Sequence, residues 1–431
     1  MAGTTRLRIQ EPVRYYQGLF RQGAIVFAGS AILGACGFVF QMIASRRLGV
    51  EAYGTFYTLL SVVIIAGMPG ALVGPVIARY CAECRALHDE AHVRGLMTDL
   101  IRWILVAAVI YMALSIALAL PLGAYLHVPA WTLPVAGIIA AIALASNLLR
   151  AVVQGSQAFS SYAVSAASEG VAKVVALIAL IAAGLSLVGG LVGYSVGVVF
   201  GLLTVAWLLE RQHAGVAPVR IRYDWRRIAL SAGGAASITI ATTLIGTVDV
   251  IIVKHFFEPY AAGLYAAAAL AGKVLMFLVG FVPIVLLPRV TDHHARGEQT
   301  RGALLAGVMV LVGVALAGGI GLQCCGSAFL QLLVGHRFAA AASLLLPYAM
   351  AMVALGLTNV LAYYGIATHR LAFAVPLVAG ATLTLVAVTL MHSSLAVVVQ
   401  VLLIGNVVTC AAVAAAVARG RRADSSRAAT Q

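Results

Sequence analysis

The sequence predicts an all-α polytopic membrane protein with about twelve transmembrane helices. Of its 431 residues, 62% are hydrophobic and only 10% are charged, and the mean hydropathy is +1.03. A soluble domain has about 25% charged residues, so this surface cannot face water throughout. The longest stretches without Asp, Glu, Lys or Arg run from Arg102 to Arg150, from Lys173 to Glu210 and from Arg370 to Arg419. Each is long enough to hold two spans of roughly 20 residues.

These stretches are apolar on all sides, which predicts helices, because the strands of a membrane barrel alternate polar and apolar residues. Three turn signals divide the long stretches: Pro121 to Pro129, Gly189-Gly190 and His392-Ser393-Ser394. Predicted helices 1 to 12 therefore lie near residues 22–44, 55–78, 101–124, 131–153, 163–186, 189–209, 229–253, 263–288, 303–325, 340–362, 371–391 and 395–418.

Glycine and proline in predicted helices 2 and 8 indicate either bending points or close packing by small residues. These residues are Gly67, Pro69, Gly70, Gly74 and Pro75 in helix 2, and Gly280, Pro283 and Pro288 in helix 8.

The two halves of the chain repeat at a nearly constant offset. Gly54 corresponds to Gly263 at a spacing of 209 residues, and Arg79 to Arg289 at 210. An even number of helices per half gives both halves the same orientation, so the repeat predicts two six-helix lobes related by a pseudo-two-fold axis along the membrane normal. The predicted organisation is a cytoplasmic leader at 1–21, an N-terminal lobe at 22–209, a cytoplasmic linker at 210–228, a C-terminal lobe at 229–418 and a basic cytoplasmic tail at 419–431.

The distribution of basic residues predicts the orientation. If the N-terminus is cytoplasmic, 22 of the 28 Lys and Arg residues lie on the inner side, Arg150 in loop 4–5 among them. Only Arg46, Arg47, Lys254 and Arg337 lie outside. The net charge of +14 is therefore a topology signal for a multi-pass membrane protein with both termini in the cytoplasm, and it argues against nucleic acid as a partner.

Four ionisable residues lie within predicted spans, where a charge is costly and often functional. Glu169 and Lys173 are four residues apart on one helical face, which favours a buried structural pair. Lys273 has no acidic residue close to it in its own helix. Its expected partner is Asp249 on the preceding helix, or a phosphate in a cavity.

The cations at the outer helix ends have two interpretations. Arg46 and Arg47 end helix 1, and Lys254 ends helix 7. They either extend to the membrane interface or bind a phosphate at the outer mouth. Cys81 and Cys84, with two nearby histidines, would be spread over too long a stripe to surround one zinc ion, so no metal site is predicted.

The turn Leu48-Gly49-Val50-Glu51-Ala52-Tyr53-Gly54-Thr55-Phe56 resembles the turn after helix 1 of the polysaccharide transporters, the Wzx-like flippases of the multidrug/oligosaccharidyl-lipid/polysaccharide exporter superfamily. Asp249 with the Gly263-Leu264-Tyr265 turn, the segment 332–341 and the Gln154 to Phe159 loop resemble the same family. The resemblance implies alternating-access flipping of an undecaprenyl-pyrophosphate-linked oligosaccharide from the inner to the outer leaflet, for surface polysaccharide synthesis.

Alternatives remain at this point. A multidrug or small-molecule exporter of the same fold would be coupled to H+ or Na+. A membrane glycan polymerase or ligase would need a sizeable polar loop, and the predicted outer loops are short. The chain is therefore expected to be a transporter without a cofactor and not an enzyme. Its expected partners are a lipid-linked glycan, membrane lipids and the polymerase or ligase machinery.

Overall fold

The computed structural model describes residues 3–219, 236–279, 301–368 and 371–429. All the regular elements in these ranges are helical. Several predicted features lie outside the described residues: residues 220–228 of the predicted linker, Gly280, Pro283, Pro288, Arg289 and Arg370.

The long helices are α1 (Gly3–Leu48), α2 (Val50–Ala66), α3 (Met68–Ala86), α4 (Glu90–Ala117), α5 (Ala119–Leu126), α6 (Thr132–Gly155), α7 (Phe159–Ala182), α8 (Leu187–Gln212), α9 (236–245 among the described residues), α10 (Val248–Phe256), α11 (Pro259–Val279), α12 (Arg301–Val334), α13 (Ala342–Ala367), α14 (Ala374–Leu390) and α15 (Leu395–Ala429). Short 3₁₀ helices at His336–Ala341 and Leu371–Phe373 precede α13 and α14.

The described residues contain 11 segments that are long and apolar enough to cross a membrane. Helix α11 is not among them, and it begins at Pro259, four residues before the predicted start of helix 8. The prediction of an all-α polytopic membrane protein with about twelve spans is confirmed.

Two predicted helices are interrupted. Predicted helix 2 breaks at Gly67, between α2 and α3, and Pro69 follows two residues later. Proline lacks a backbone N–H and disfavours the helical conformation of the residue before it, so a break at this point is expected. Predicted helix 7 breaks at residues 246–247, so Asp249 lies in the first turn of α10. The positive end of the helix dipole favours a carboxylate at that position.

The chain forms two compact units that are discontinuous in sequence. Unit 1 comprises residues 1–44, 69–117 and 137–225, and unit 2 comprises residues 45–68, 118–136 and 226–431. The division into two continuous six-helix lobes concerns membrane topology, and it stays a prediction.

Unit 1 is held together by an apolar core where α3, α4, α6 and α8 meet. Ile77, Leu96, Val152 and Val205 belong to this core and are at most 4% exposed. Lipid tails are as apolar as these side chains, so close van der Waals packing between the helices holds this core together. Cys81 and Cys84 belong to the same core.

Unit 2 contains a close crossing of α2 and α11. A Cβ atom added to Gly54 would lie 2.8 Å from both Cα and N of Gly263, so only glycine fits at this crossing. The two glycines that correspond in the sequence repeat are therefore in contact with each other.

Candidate functional site

Unit 1 contains a buried charge cluster, formed by Arg150, Glu169 and Lys173. Arg150 extends from α6 and places Nη1 2.8 Å from Oε2 of Glu169 on α7. Lys173, one turn further along α7, places Nζ 3.0 Å from Oε1 of the same carboxylate. The three residues are between 5% and 7% exposed. One carboxylate therefore pairs with two cations and leaves the cluster a formal net charge of +1, and the predicted Glu169–Lys173 pair is present with a third member.

Neighbouring groups complete the hydrogen bonding of this charge cluster. Arg150 donates from Nε to Oγ of Ser165 at 3.1 Å and from Nη2 to its carbonyl at 2.9 Å. The ammonium of Lys173 lies 4.8 Å from the ring centroid of Tyr194 on α8. Gly201 leaves the space, because a Cβ there would lie 2.8 Å from Nη2 of Arg150. The cluster therefore joins α6, α7 and α8 with its polar groups occupied, as in a structural role.

The prediction that Arg150 is a loop residue is wrong. Helix α6 continues to Gly155, two residues beyond the predicted end of helix 4, and Arg150 is only 6% exposed. The charge of Arg150 lies five residues before the end of the helix and is held by a carboxylate on the next helix. It does not contribute to the surface charge that orients the protein.

Unit 2 contains a second buried carboxylate, Asp249, which is 0% exposed. Its Oδ2 atom accepts hydrogen bonds from the hydroxyls of Tyr265 on α11 and Tyr348 on α13, each at 2.9 Å. Among the described residues its Oδ1 atom has no hydrogen-bond partner. A buried charge that is only half satisfied is costly, so this oxygen is available to a proton or another cation.

Lys273 does not pair with Asp249 as expected. Its Nζ donates to the hydroxyl of Tyr57 on α2 at 3.2 Å and lies 5.3 Å from the centroid of that ring. In the described part of the chain, no ion pair within 4.0 Å involves either Lys273 or Asp249. Two tyrosine hydroxyls donate to Oδ2 of Asp249, and Lys273 donates to Tyr57 instead. An ammonium has three donors, so Lys273 can still bind an anion.

The cations at the ends of α1 and α10 are placed differently from one another. Arg46 donates to the carbonyl of Leu332, in the last turn of α12. Arg47 is exposed. Lys254 is 1% exposed and donates to Oγ1 of Thr55 at 3.2 Å, so it does not extend to an interface. Of these three cations, Lys254 is the one that is buried with a neutral partner.

The sequence analysis missed the hydroxyl partners of these charges. The two repeated glycine turns could have pointed to some of them, because Thr55, Tyr57 and Tyr265 lie in or beside these turns. Tyr348 follows Pro347 in an apolar helix and had no such signal.

These clusters lie on a helical fold that is shared with known transporters. The chain is similar to a multidrug resistance MATE family transporter of the MOP superfamily in an inward-facing conformation, with a TM-score of 0.74, 13% identity and coverage of 93% of this chain and 98% of that chain. It is also similar to the lipid II flippase MurJ in an inward closed conformation, with a TM-score of 0.66, 10% identity and coverage of 91% and 86%. A MOP superfamily transporter from Pyrococcus furiosus matches with a TM-score of 0.57, 15% identity and coverage of 94% and 95%.

The fold is therefore that of the MOP superfamily of transporters and flippases. The sequence matches the family described as "Polysaccharide biosynthesis protein" over residues 20–294, and the chain belongs to that family. No curated protein sequence matches the chain. The families that the chain matches are transporters and flippases, and the resemblance found in the sequence is confirmed.

Proposed function

We propose that this protein flips a lipid-linked oligosaccharide of the undecaprenyl-pyrophosphate type from the inner to the outer leaflet. Membership of the polysaccharide biosynthesis family supports a glycan substrate. The similarity to a lipid II flippase supports a lipid carrier. A polymerase or ligase that uses the product is the partner expected of such a flippase.

Lys273 is the observation that carries this proposal. An ammonium inside a membrane span costs about 2.5–3.5 kcal/mol on insertion scales. Such a cost is offset when the charge meets an anion, yet the described partner of Lys273 is a neutral phenol. A diphosphate that crosses the membrane needs a cation on its path, and Lys273 can supply it.

The test measures the lipid-linked glycan in cells that lack the protein. Deletion should cause an inward-facing lipid-linked glycan to accumulate and should remove surface glycan. Lys273→Ala should reproduce this defect at normal expression, and Lys273→Arg, which keeps the charge, should restore part of the display. A deletion strain with an unchanged glycan pool and unchanged surface glycan would overturn the proposal.

Asp249 favours a second candidate, a cation-coupled exporter of small molecules. A buried carboxylate with one unpartnered oxygen is suited to bind H+ or Na+ during transport. Asp249→Asn keeps the shape and removes the charge, so it should abolish the dependence of transport on a proton or sodium gradient. Tyr348→Phe removes one hydroxyl bond and is the milder companion variant. If the Asp249→Asn variant loses export of a small molecule while its glycan display stays normal, the exporter is favoured over the flippase.

A further inference from the structure

Three helices of unit 2 end close together, and a histidine lies at each of these ends. His127 caps α5, His255 lies in the last turn of α10, and His392 follows the end of α14 by two residues. All three ends lie on the predicted outer side. The last four carbonyls of an α-helix have no partner within the helix, and they form the negative end of its dipole. This place therefore favours hydrogen-bond donors and positive charge.

Two of these histidines donate a hydrogen bond to such a carbonyl. Nδ1 of His255 lies 2.7 Å from the carbonyl oxygen of Tyr125, in the last turn of α5. Nδ1 of His392 lies 2.7 Å from the carbonyl oxygen of Thr389, in the last turn of α14. Because a carbonyl oxygen only accepts, Nδ1 carries the hydrogen in both rings, and a further proton is taken up at Nε2. Protonation therefore adds a charge to each ring without breaking its hydrogen bond.

Aromatic rings continue the contact from α5 to the turn after α14. The ring of His255 stacks on the ring of Tyr125, with their centroids 3.7 Å apart, and its centroid lies 4.6 Å from that of Phe256. Phe256 in turn stacks on His392, with centroids 3.8 Å apart. We call these four residues the ring stack. Each histidine has the face of a neutral aromatic ring against it, and such a face attracts a cation.

The surroundings of the ring stack offer no counter-charge in contact with it. Helix α10 packs against α2, α5, α11 and α14. At the outer ends of these elements the other charged and titratable groups are Glu51 and Tyr53 on α2, His127 after α5, Lys254 on α10, Glu258 between α10 and α11, and Tyr260 on α11. Among the described residues, no carboxylate oxygen lies within 4.0 Å of an imidazole nitrogen of His255 or His392. Lys254 donates to a hydroxyl of α2, and the ring centroid of the exposed His127 lies 6.1 Å from that of His255, where solvent screens its charge. The closer contacts of His255 are therefore the neutral ring and carbonyl of Tyr125.

We propose that the contact between His255 and Tyr125 is a proton-dependent latch that keeps the outer side of the protein closed. Helix α5 belongs to the predicted N-terminal lobe, whereas α10 and α14 belong to the predicted C-terminal lobe. Opening towards the outer side therefore has to separate Tyr125 from His255. Phe256 and His392 stay on the same side of that separation, and they hold the ring of His255 in place.

The sign of the pH dependence follows from what protonation adds. A charged imidazole forms a stronger hydrogen bond to the carbonyl of Tyr125 and a stronger contact with its ring, and both exist only while the latch is closed. The closed arrangement therefore binds the proton more tightly than the open one. Closure is favoured as the pH falls through the range between 5 and 8, in which histidine changes its charge, and it is lost as the pH rises. The proposal concerns the movement and not the cargo, so it applies to a flippase and to an exporter alike.

The experiment measures the distance between two spin labels in the purified full-length protein in lipid nanodiscs, by double electron–electron resonance. The labels are attached at Ala124→Cys on α5 and Ala396→Cys on α15, two exposed positions, after the six native cysteines are replaced by alanine. Between pH 8 and pH 5.5 we expect the ratio of the longer to the shorter distance to fall about fivefold.

Two variants act on the latch itself. His255→Gln keeps a hydrogen-bond donor but cannot become charged, so its ratio of distances should be the same at both pH values. Tyr125→Leu removes the ring and leaves the backbone carbonyl. It should raise the fraction of the longer distance at pH 5.5 and retain part of the pH dependence.

Two other histidines of unit 2 are matched controls. His392 belongs to the same ring stack but contacts Phe256, which lies in the same predicted lobe. His336 is exposed at the start of a 3₁₀ helix. His392→Gln and His336→Gln should each retain the fivefold change, because neither removes the contact between His255 and α5.

Four outcomes would overturn the proposal: the same distances at both pH values in the native sequence, a pH dependence that survives in His255→Gln, its loss in either control, and a larger open fraction at pH 5.5 than at pH 8. Failure of the proposed function has a different signature, because the spin-label measurement uses no glycan. If deletion leaves the lipid-linked glycan unchanged while the distances follow the expected pattern, the latch stands and the glycan substrate is wrong.

Discussion

At the scale of single residues, the buried charges divide by the kind of partner they have. Glu169 meets two cations at 2.8 Å and 3.0 Å, so its charge is compensated within the protein. Lys254 and Lys273 meet neutral hydroxyls instead. A charge with an internal counter-charge has a structural role. A buried cation with a neutral partner retains the capacity to bind an anion.

The first of these classes predicts a stability effect. Glu169→Gln leaves Arg150 and Lys173 buried without a counter-charge, so we expect the free energy of unfolding to fall by about 3–5 kcal/mol. Thermal unfolding in detergent measures the loss. The control is Glu83→Gln, because Glu83 pairs with Arg79 at the same i,i+4 spacing but is 56% exposed. An exposed pair contributes little. Equal losses for both variants would show that the buried cluster contributes no more to stability than the exposed pair.

Residue spacing predicted part of these contacts. The four-residue spacing of Glu169 and Lys173 was sufficient to predict their pairing, because an α-helix brings such positions together. Arg150 could not be added by spacing, since it reaches Glu169 from another helix. Lys273 and its partner Tyr57 are 216 residues apart in the sequence, and helical periodicity does not relate positions that far apart.

At the scale of elements, glycines decide how closely two helices approach. The repeat analysis paired Gly54 with Gly263 as equivalent positions, and the fold brings those two positions into contact. A contact between equivalent residues is what a pseudo-two-fold axis produces when it passes between two repeats. The break at Gly67 and Pro69 likewise lies where the sequence favoured a bend, whereas the break at residues 246–247 had no proline to predict it.

The glycine crossing gives a second stability prediction. In Gly54→Ala the new methyl group would meet the backbone of Gly263, which no side-chain rotation can relieve, so α2 must separate from α11. We expect a clear fall in melting temperature and loss of glycan display. Gly34→Ala in α1 is the comparison, because nothing lies within 4 Å of the methyl group it would add. If both substitutions are equally harmless, the crossing does not need glycine.

At the scale of the whole molecule, we propose that the inner membrane holds the protein with both termini in the cytoplasm. The asymmetric distribution of basic residues supports this orientation, and it survives the removal of Arg150 from the loop charges. It also places Arg46 and Lys254 at the outer side.

Fusions test this orientation. Alkaline phosphatase is active only outside the cytoplasm, so a fusion after Gln431 should be inactive and a fusion in the turn at His392-Ser393 should be active. A fluorescent protein that folds only in the cytoplasm should give the opposite pattern at the two sites. Phosphatase activity after Gln431 would reverse the orientation, and it would place the Lys254 end of α10 on the inner side.

The sequence by itself determined that the chain is a helical membrane protein, because hydropathy and the spacing of charges are properties of the linear chain. The repeat of the two halves at a nearly constant offset stays a prediction. It also predicted that Glu169, Lys173, Asp249 and Lys273 lie within spans, but it placed Arg150 in a loop and Lys254 at an outer helix end. Only the tertiary structure decided what those charges meet: Arg150 joins Glu169, Asp249 takes two tyrosine hydroxyls, and both lysines of unit 2 hold α2. The reason is physical, since side chains from distant helices meet only where the helices cross, and crossing geometry depends on the packing of all the elements together.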